Sequence, residues 1–181
     1  MSVPIEPGTG ETLRQFAVNL FYGYGYNFYR EENQLRSDDQ RIRRMVSELL
    51  QRARKALSEA ESRYRREKFP PPSRKNPFPP ASAQADARRL EALATAVSAL
   101  DGEIAHLPVP ENDFMTRHFR NEADTLRQLS EKDVELVGQA QALAQIVEGS
   151  SLDVLVASAD QIEAAIRAVK DKLLERQTLL L

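Results

Sequence analysis

Apolar residues in the second half of this chain recur at alternating steps of three and four. Leu90, Leu93, Val97, Leu100, Ile104 and Leu107 hold that alternation throughout. Such spacing keeps one stripe of a helix turned toward a neighbour, as in coiled coils. It predicts a helix capped by Ser82 and ended by Pro108 and Pro110. Met115, Phe119, Leu126, Leu129, Leu136, Ala140, Leu143 and Val147 keep the same seven-residue phase and predict a long fourth helix, broken at Gly149-Ser150-Ser151. Glu122 and Asp133 are polar at seam positions, so the face is expected to be wet there. A last helix carries Leu155, Ala159, Ile162, Ile166, Val169, Leu173 and Leu180 in phase. Ser158-Ala159-Asp160-Gln161 has the form of a capping box and predicts an interruption near Ala157.

The first half is patterned differently. Residues 1–10 read as an irregular arm. Thr9 or Thr12 can cap a first helix running to about Leu35, with Leu13, Phe16, Ala17, Leu20, Tyr24, Phe28 and Leu35 near one face. Gly23 and Gly25 interrupt it and invite a kink or the close approach of a second backbone. Ser37-Asp38-Asp39-Gln40 is a second capping box and predicts the start of another helix. There Ile42, Val46, Leu49, Ala53, Ala56, Ala60 and Tyr64 form the seam. It thins toward Ala, so the end of this helix is expected to project beyond the core or to pack closely.

Phe69-Pro70-Pro71-Pro72-Ser73-Arg74-Lys75-Asn76-Pro77-Phe78-Pro79-Pro80 stops that helix, and its prolines favour an extended polyproline conformation. The chain thus divides into a helical pair (1–69), a Pro-rich linker (70–80) and a three-helix region (81–181). No strand or internal repeat is legible. The expected fold is all-α, an elongated antiparallel bundle of about five helices with coiled-coil-like seams. The first two helices either pack on the other three or pair separately.

Composition agrees with this reading and narrows the chemistry. The chain has 181 residues, 41% hydrophobic and 29% charged, with seven Gly and no Trp. There is no Cys, which excludes disulfides, thiolate catalysis and Cys-based metal sites. The opening Met1-Ser2-Val3-Pro4 has neither the basic nor the apolar region of a secretory signal. No apolar run approaches the ~20 residues of a membrane span. A soluble, cytoplasmic protein is therefore expected, with a profile generic among small bacterial accessory proteins.

Charge is segregated. Net charge is −2, yet residues 41–75 hold 12 Arg/Lys against 4 Asp/Glu, and the remainder holds 13 against 23. An uneven distribution of this kind suits an acidic partner or a second copy of the chain.

Candidate chemistry begins with rings. Seven of twelve aromatic residues lie in Phe16–Tyr29, followed by a charged block. Phe16, Phe21 and Phe28 suit a core, as Tyr24 also does. Tyr22, Tyr24, Tyr26 and Tyr29, rimmed by Arg30, Glu32 and Arg36, suit a partner surface, because one helix cannot hide seven rings on one side. Arg41, Arg44, Arg52, Arg63, Arg65, Arg66, Arg74 and Lys75 offer an alternative, phosphate contacts with nucleic acid. Glu31, Glu32 and Asp38 offer a carboxylate–metal centre, but the Glu-x-x-His element of di-metal helical sites is missing, and both His residues, His106 and His118, lie elsewhere. His118 and Glu122 share a helix face, the common form of a surface hydrogen bond. No phosphate-binding Gly-rich loop, nucleophile elbow or HExxH is present. The sequence therefore points to a non-enzymatic protein without metal or cofactor. It is expected to bind another protein, as an adaptor, assembly factor or scaffold, and to form homo-oligomers.

Overall fold

The computed structural model describes residues 35–74, 78–107 and 123–180, and every element among them is helical. In chain order they are α1 (Leu35–Lys68), α2 (Ala81–His106), α3 (Ala123–Gly149), α4 (Leu152–Ala157) and α5 (Ala159–Leu180). The predicted first helix, with its two glycines, lies outside the described residues. So do Met115, Phe119 and Glu122.

Helix α1 is already formed at Leu35, so Ser37 is its third residue and not its cap. Its apolar stripe is wider than the seam read from the sequence. Met45, Leu50 and Leu57 are buried beside Ile42, Val46, Leu49, Ala53, Ala60 and Tyr64. The reason is that α1 packs against two helices, α2 and α3. Two apolar positions per heptad line one contact, and a second neighbour needs a third position. The stripe runs to Tyr64, so the Ala-rich end is packed and does not project. Ala53 and Ala60 in α1 and Ala83, Ala87 and Ala94 in α2 are buried without long side chains, which lets the helices approach closely.

Helix α2 also begins earlier than expected, by two residues. Pro80 occupies the cap position, and Ser82 lies inside the helix. The Gln84 side chain supplies a bond at this end instead, donating through Nε2 to the Pro79 carbonyl at 2.8 Å. The stripe of Leu90, Leu93, Val97, Leu100 and Ile104 is buried as the spacing predicts. Helix α3 ends at Gly149, and the break between α4 and α5 falls at Ser158, both where the sequence places them. Ser158 does not act as a capping-box residue, however. Its hydroxyl donates back to the Val154 carbonyl at 2.6 Å and closes α4. Backbone bonds from Ser158 to Val154 and from Ile162 to Ser158 bridge the interruption.

Four long helices form a closed ring of neighbours: α1 beside α2, α2 beside α5, α5 beside α3, and α3 beside α1. Side-chain bonds give the directions. Ser47 meets Asp101 at 2.5 Å and Tyr64 meets Asp86 at 2.7 Å, so α1 and α2 are antiparallel. Lys132 meets Glu175 and Lys172 meets Glu135, so α3 and α5 are antiparallel as well. Lys170 meets Glu103, and Arg89 meets Asp160, so α2 and α5 run parallel. Two antiparallel hairpins thus lie side by side, with α2 and α3 across a diagonal. One core joins all of them, from Ile42, Leu50 and Leu57 through Leu90 and Leu93 to Leu136, Leu143, Ile162 and Val169. Each such side chain, fully buried, contributes about 1.5–3 kcal/mol.

The bundle has two unlike ends. One gathers the start of α1, the end of α2, the start of α3 and the end of α5. Arg43 marks it, donating through Nη1 to the Leu107 carbonyl at 2.6 Å. The other gathers the Pro-rich connector between α1 and α2 with the α3–α4–α5 joint.

Candidate functional site

The cationic helix is α1, and its surface is less bare than its composition suggests. Arg52 pairs in a fork with Glu148, through Nε at 2.8 Å and Nη2 at 2.5 Å. Arg65 pairs with Glu61 on its own helix and, at 3.2 Å, with Glu91 on α2. Its guanidinium is held above the ordinary range, first by the Glu61 bond. Lys55 approaches Glu59, and Lys68 approaches Asp153, each at 3.9 Å. Arg44, Arg54, Arg63 and Arg66 are exposed, with no ion pair among the described residues. A shallow open depression runs along this face past Gln51, Lys55, Ser58, Glu59 and Arg66. It alternates in sign. Arg41 is partly buried at the start of the helix, and Arg74 is exposed in the connector.

A second charged cluster joins α3 to α5. Lys132 and Lys172 each reach both Glu135 and Glu175, at 2.7–3.0 Å. Bonds to Glu175 first, then to Glu135, hold both lysines above their usual pKa. Glu175 lies below the usual carboxylate range because Lys132 and Lys172 donate to it. At Glu135 burial pushes the other way, but bonds from the same lysines outweigh it and the carboxyl is again lowered.

Beneath that cluster is the least expected feature. Asp133 is fully buried, and so, but for 1%, is Arg176, whose Nε donates to Asp133 Oδ1. The seam at Asp133 is therefore dry and ion-paired, not wet. An isolated carboxylate there would be strongly destabilising, and the guanidinium offsets part of that cost. The sequence carried a signal for this pair. Asp133 interrupts the α3 stripe, and Arg176 follows Leu173 by three on the α5 stripe, in a heptad where the apolar phase passes directly to Leu180.

At the opposite end Tyr64 donates to Asp86, and its hydroxyl is pushed up to about 12, first by that bond and then by burial. Arg65 lies over the Phe69 ring, 5.6 Å from its centre. Nine residues beyond, Phe78 is 78% exposed in the connector. Sequence reasoning read this segment as a break and missed the ring it displays.

Of the expected partner surface, Tyr22, Tyr24, Tyr26, Tyr29, Arg30 and Glu32 lie outside the described residues. Arg36 is the second residue of α1. Glu31 and Lys75 are likewise outside, and Asp38 is placed only as a helical residue of α1. Among the described residues no three His, Asp or Glu side chains are grouped as metal ligands would be. No helix among them is long and apolar enough to cross a membrane. No family model matches this chain, and no match is found among curated proteins or solved structures.

Proposed function

We propose that this chain is a non-enzymatic helical interaction module, an adaptor, assembly factor or scaffold that binds another protein. The observation that supports this reading is how its ionisable residues are employed. Arg52–Glu148, Lys132–Glu175, Lys172–Glu135, Lys170–Glu103, Arg89–Asp160 and Asp133–Arg176 each tie one helix to another. Charged side chains engaged between helices fix the register of one helix against the next. A rigid bundle displaying surface segments is what a scaffold needs.

The contact surface under this reading is the Tyr-rich segment with Tyr22, Tyr24, Tyr26 and Tyr29 and its rim Arg30, Glu32 and Arg36. It precedes α1 in the sequence. Self-association through the same surface is part of the proposal, as is a cytoplasmic setting. The test is affinity recovery of the tagged chain from its native cell, with and without nuclease, beside a Tyr22→Ala/Tyr26→Ala/Tyr29→Ala variant. A nuclease-resistant protein partner lost in the variant supports the reading. Recovery of nucleic acid alone, or a partner indifferent to the three tyrosines, counts against it. Light scattering of the purified chain decides the oligomer, which a monomeric mass in dilute solution removes.

A further inference from the structure

Large apolar side chains left in water are few among the described residues. They are Phe78, 78% exposed, Leu174 at 51% and Val154 at 41%. One such side chain alone is ordinary on a protein surface. Here Phe78 and Val154 lie at the same end of the bundle, Phe78 in the α1–α2 connector and Val154 in α4. Pro70, Pro71, Pro72 and Pro80 are exposed in the same connector. Its other ring, Phe69, packs against the core and lies under Arg65, so the connector covers one ring and presents the other. The charges at this end divide as well. Asp86 accepts from Tyr64, Asp160 pairs with Arg89, and Asp153 approaches Lys68 at 3.9 Å. Arg63 and Arg66 near the end of α1 and Arg74 in the connector are exposed, with no ion pair among the described residues. Glu67 is the exposed carboxylate set among them.

We propose that this end of the bundle docks on an anionic lipid surface, with Phe78 entering the headgroup region and Arg63, Arg66 and Arg74 meeting lipid phosphates. The inference goes beyond the interaction-module reading and makes no use of the Tyr-rich surface. A lipid surface fits these features better than a folded partner does. A stable protein contact covers about 800 Å² on each side with matched contours, whereas an exposed ring collared by arginines offers points and no broad contour. A headgroup layer yields around an aromatic ring and gains from each cation brought near it. Guanidinium groups hold phosphate through paired N–H donors. Arg63, Arg66 and Arg74 can turn to it without giving up an ion pair within the described residues. The cytoplasmic leaflet carries the anionic lipids, which agrees with the cytoplasmic setting proposed above. One ring and three arginines are less than a stable anchor needs, so the docking is reversible and weakened by salt.

The test uses the full chain, which has no Trp. Phe78→Trp therefore carries a single reporter at the point of entry, and Leu174→Trp carries one on the exposed side of α5 as a control. Each is mixed with vesicles of phosphatidylcholine and with vesicles of equimolar phosphatidylcholine and phosphatidylglycerol. Melting curves confirm that every variant keeps the bundle. Phe78→Trp should show blue-shifted emission, and quenching by lipids brominated in their acyl chains, on the anionic vesicles alone. High salt should reverse both, and Leu174→Trp should not change. In sedimentation with the anionic vesicles, Phe78→Ser should bind about tenfold more weakly than wild type, and Arg63→Glu/Arg66→Glu/Arg74→Glu about a hundredfold more weakly. No shift on anionic vesicles, an equal shift in Leu174→Trp, equal binding to both kinds of vesicle, or sedimentation indifferent to these substitutions overturns the inference. So does a shift produced by glycerol phosphate without vesicles, which assigns the arginines to a free phosphate. The tyrosine triple variant should sediment with anionic vesicles as wild type does. Loss of vesicle binding in that variant assigns the lipid contact to the Tyr-rich segment and overturns it here.

Discussion

Replacing Asp133 by Leu removes a carboxylate from the buried interior and takes from the Arg176 guanidinium, 1% exposed, the acceptor of its Nε. Breaking one side of a buried pair costs about 3–5 kcal/mol, most of it the penalty of the charge left behind. For a chain of this size each kcal/mol moves the melting temperature by about 2–4 °C, so the variant should melt about 6–20 °C below wild type. Adding Arg176→Met takes away the buried cation as well, and the double variant should recover about 1–3 kcal/mol of the loss as coupling between the two sites. The comparison that gives the number meaning is Arg52→Ala. Arg52 pairs with Glu148 in a good fork, but its side chain is half exposed, and such a pair is worth at most about 1 kcal/mol. Circular dichroism melts of the four proteins at one concentration test the set. If Asp133→Leu melts within ~2 °C of wild type, or costs no more than Arg52→Ala, the pair is not in a dry core and the reasoning fails.

Three further outcomes follow from single features. Gly102 is in the interior of α2, and a Cβ added there meets nothing within 4 Å, so Gly102→Ala should stabilise by up to about 1 kcal/mol in a denaturant titration. Tyr64→Phe removes the hydroxyl that donates to Asp86 and should cost about 1 kcal/mol at neutral pH. Because the folded Tyr64 keeps its proton up to about 12, above its ordinary value, wild type loses this contribution as pH rises through that range, and the Phe variant should show a flatter alkaline slope. Glu135 and Glu175 are lowered by Lys132 and Lys172, so their contribution is present above the ordinary carboxylate range and lost as pH falls through their folded values. A Lys132→Met/Lys172→Met variant should therefore lose less stability than wild type between about pH 5 and about pH 3 in melts compared pH by pH.

The fold was legible because its determinants are local and periodic. Leu90, Leu93, Val97, Leu100 and Ile104 declare a stripe whatever the helix packs against, and Gly149 and Ser158 mark breaks that backbone chemistry imposes. Where the reading fell short, the missing information was the number of neighbours. Met45, Leu50 and Leu57 fall outside a two-per-heptad seam, and only the presence of both α2 and α3 beside α1 explains their burial. The caps failed for a related reason. Ser37 and Ser82 have the right chemistry, but each helix begins upstream of them, and a capping pattern does not exclude an earlier start. Asp133 was visible as an anomaly but not as a pair, because Arg176 is 43 residues away on another helix. Of the candidate surfaces, the rings of Phe16–Tyr29 were conspicuous by composition. Phe78 was hidden within prolines that read as punctuation.

Charge pairing bears on the choice between a protein partner and nucleic acid. A polyanion gains from cations whose own counterions are small and released, and it gains little from cations already neutralised by a fixed carboxylate. Of the residues offered as phosphate contacts, Arg52 and Arg65 are held by Glu148, Glu61 and Glu91. To reach a phosphate each would have to give up a bond that also ties α1 to α3 or α2. Arg44, Arg63, Arg66 and Arg74 have no such obligation, but on α1 Glu48 and Glu59 stand among them on the same outer face. Alternating signs on a rigid face discriminate between partners by register, rewarding a surface with the complementary alternation and repelling a uniform one. A folded protein can present such a pattern, whereas a phosphate backbone carries a single sign throughout. The alternation on α1 is thus an argument for the protein partner proposed above, even though the net charge of the helix alone would suit either.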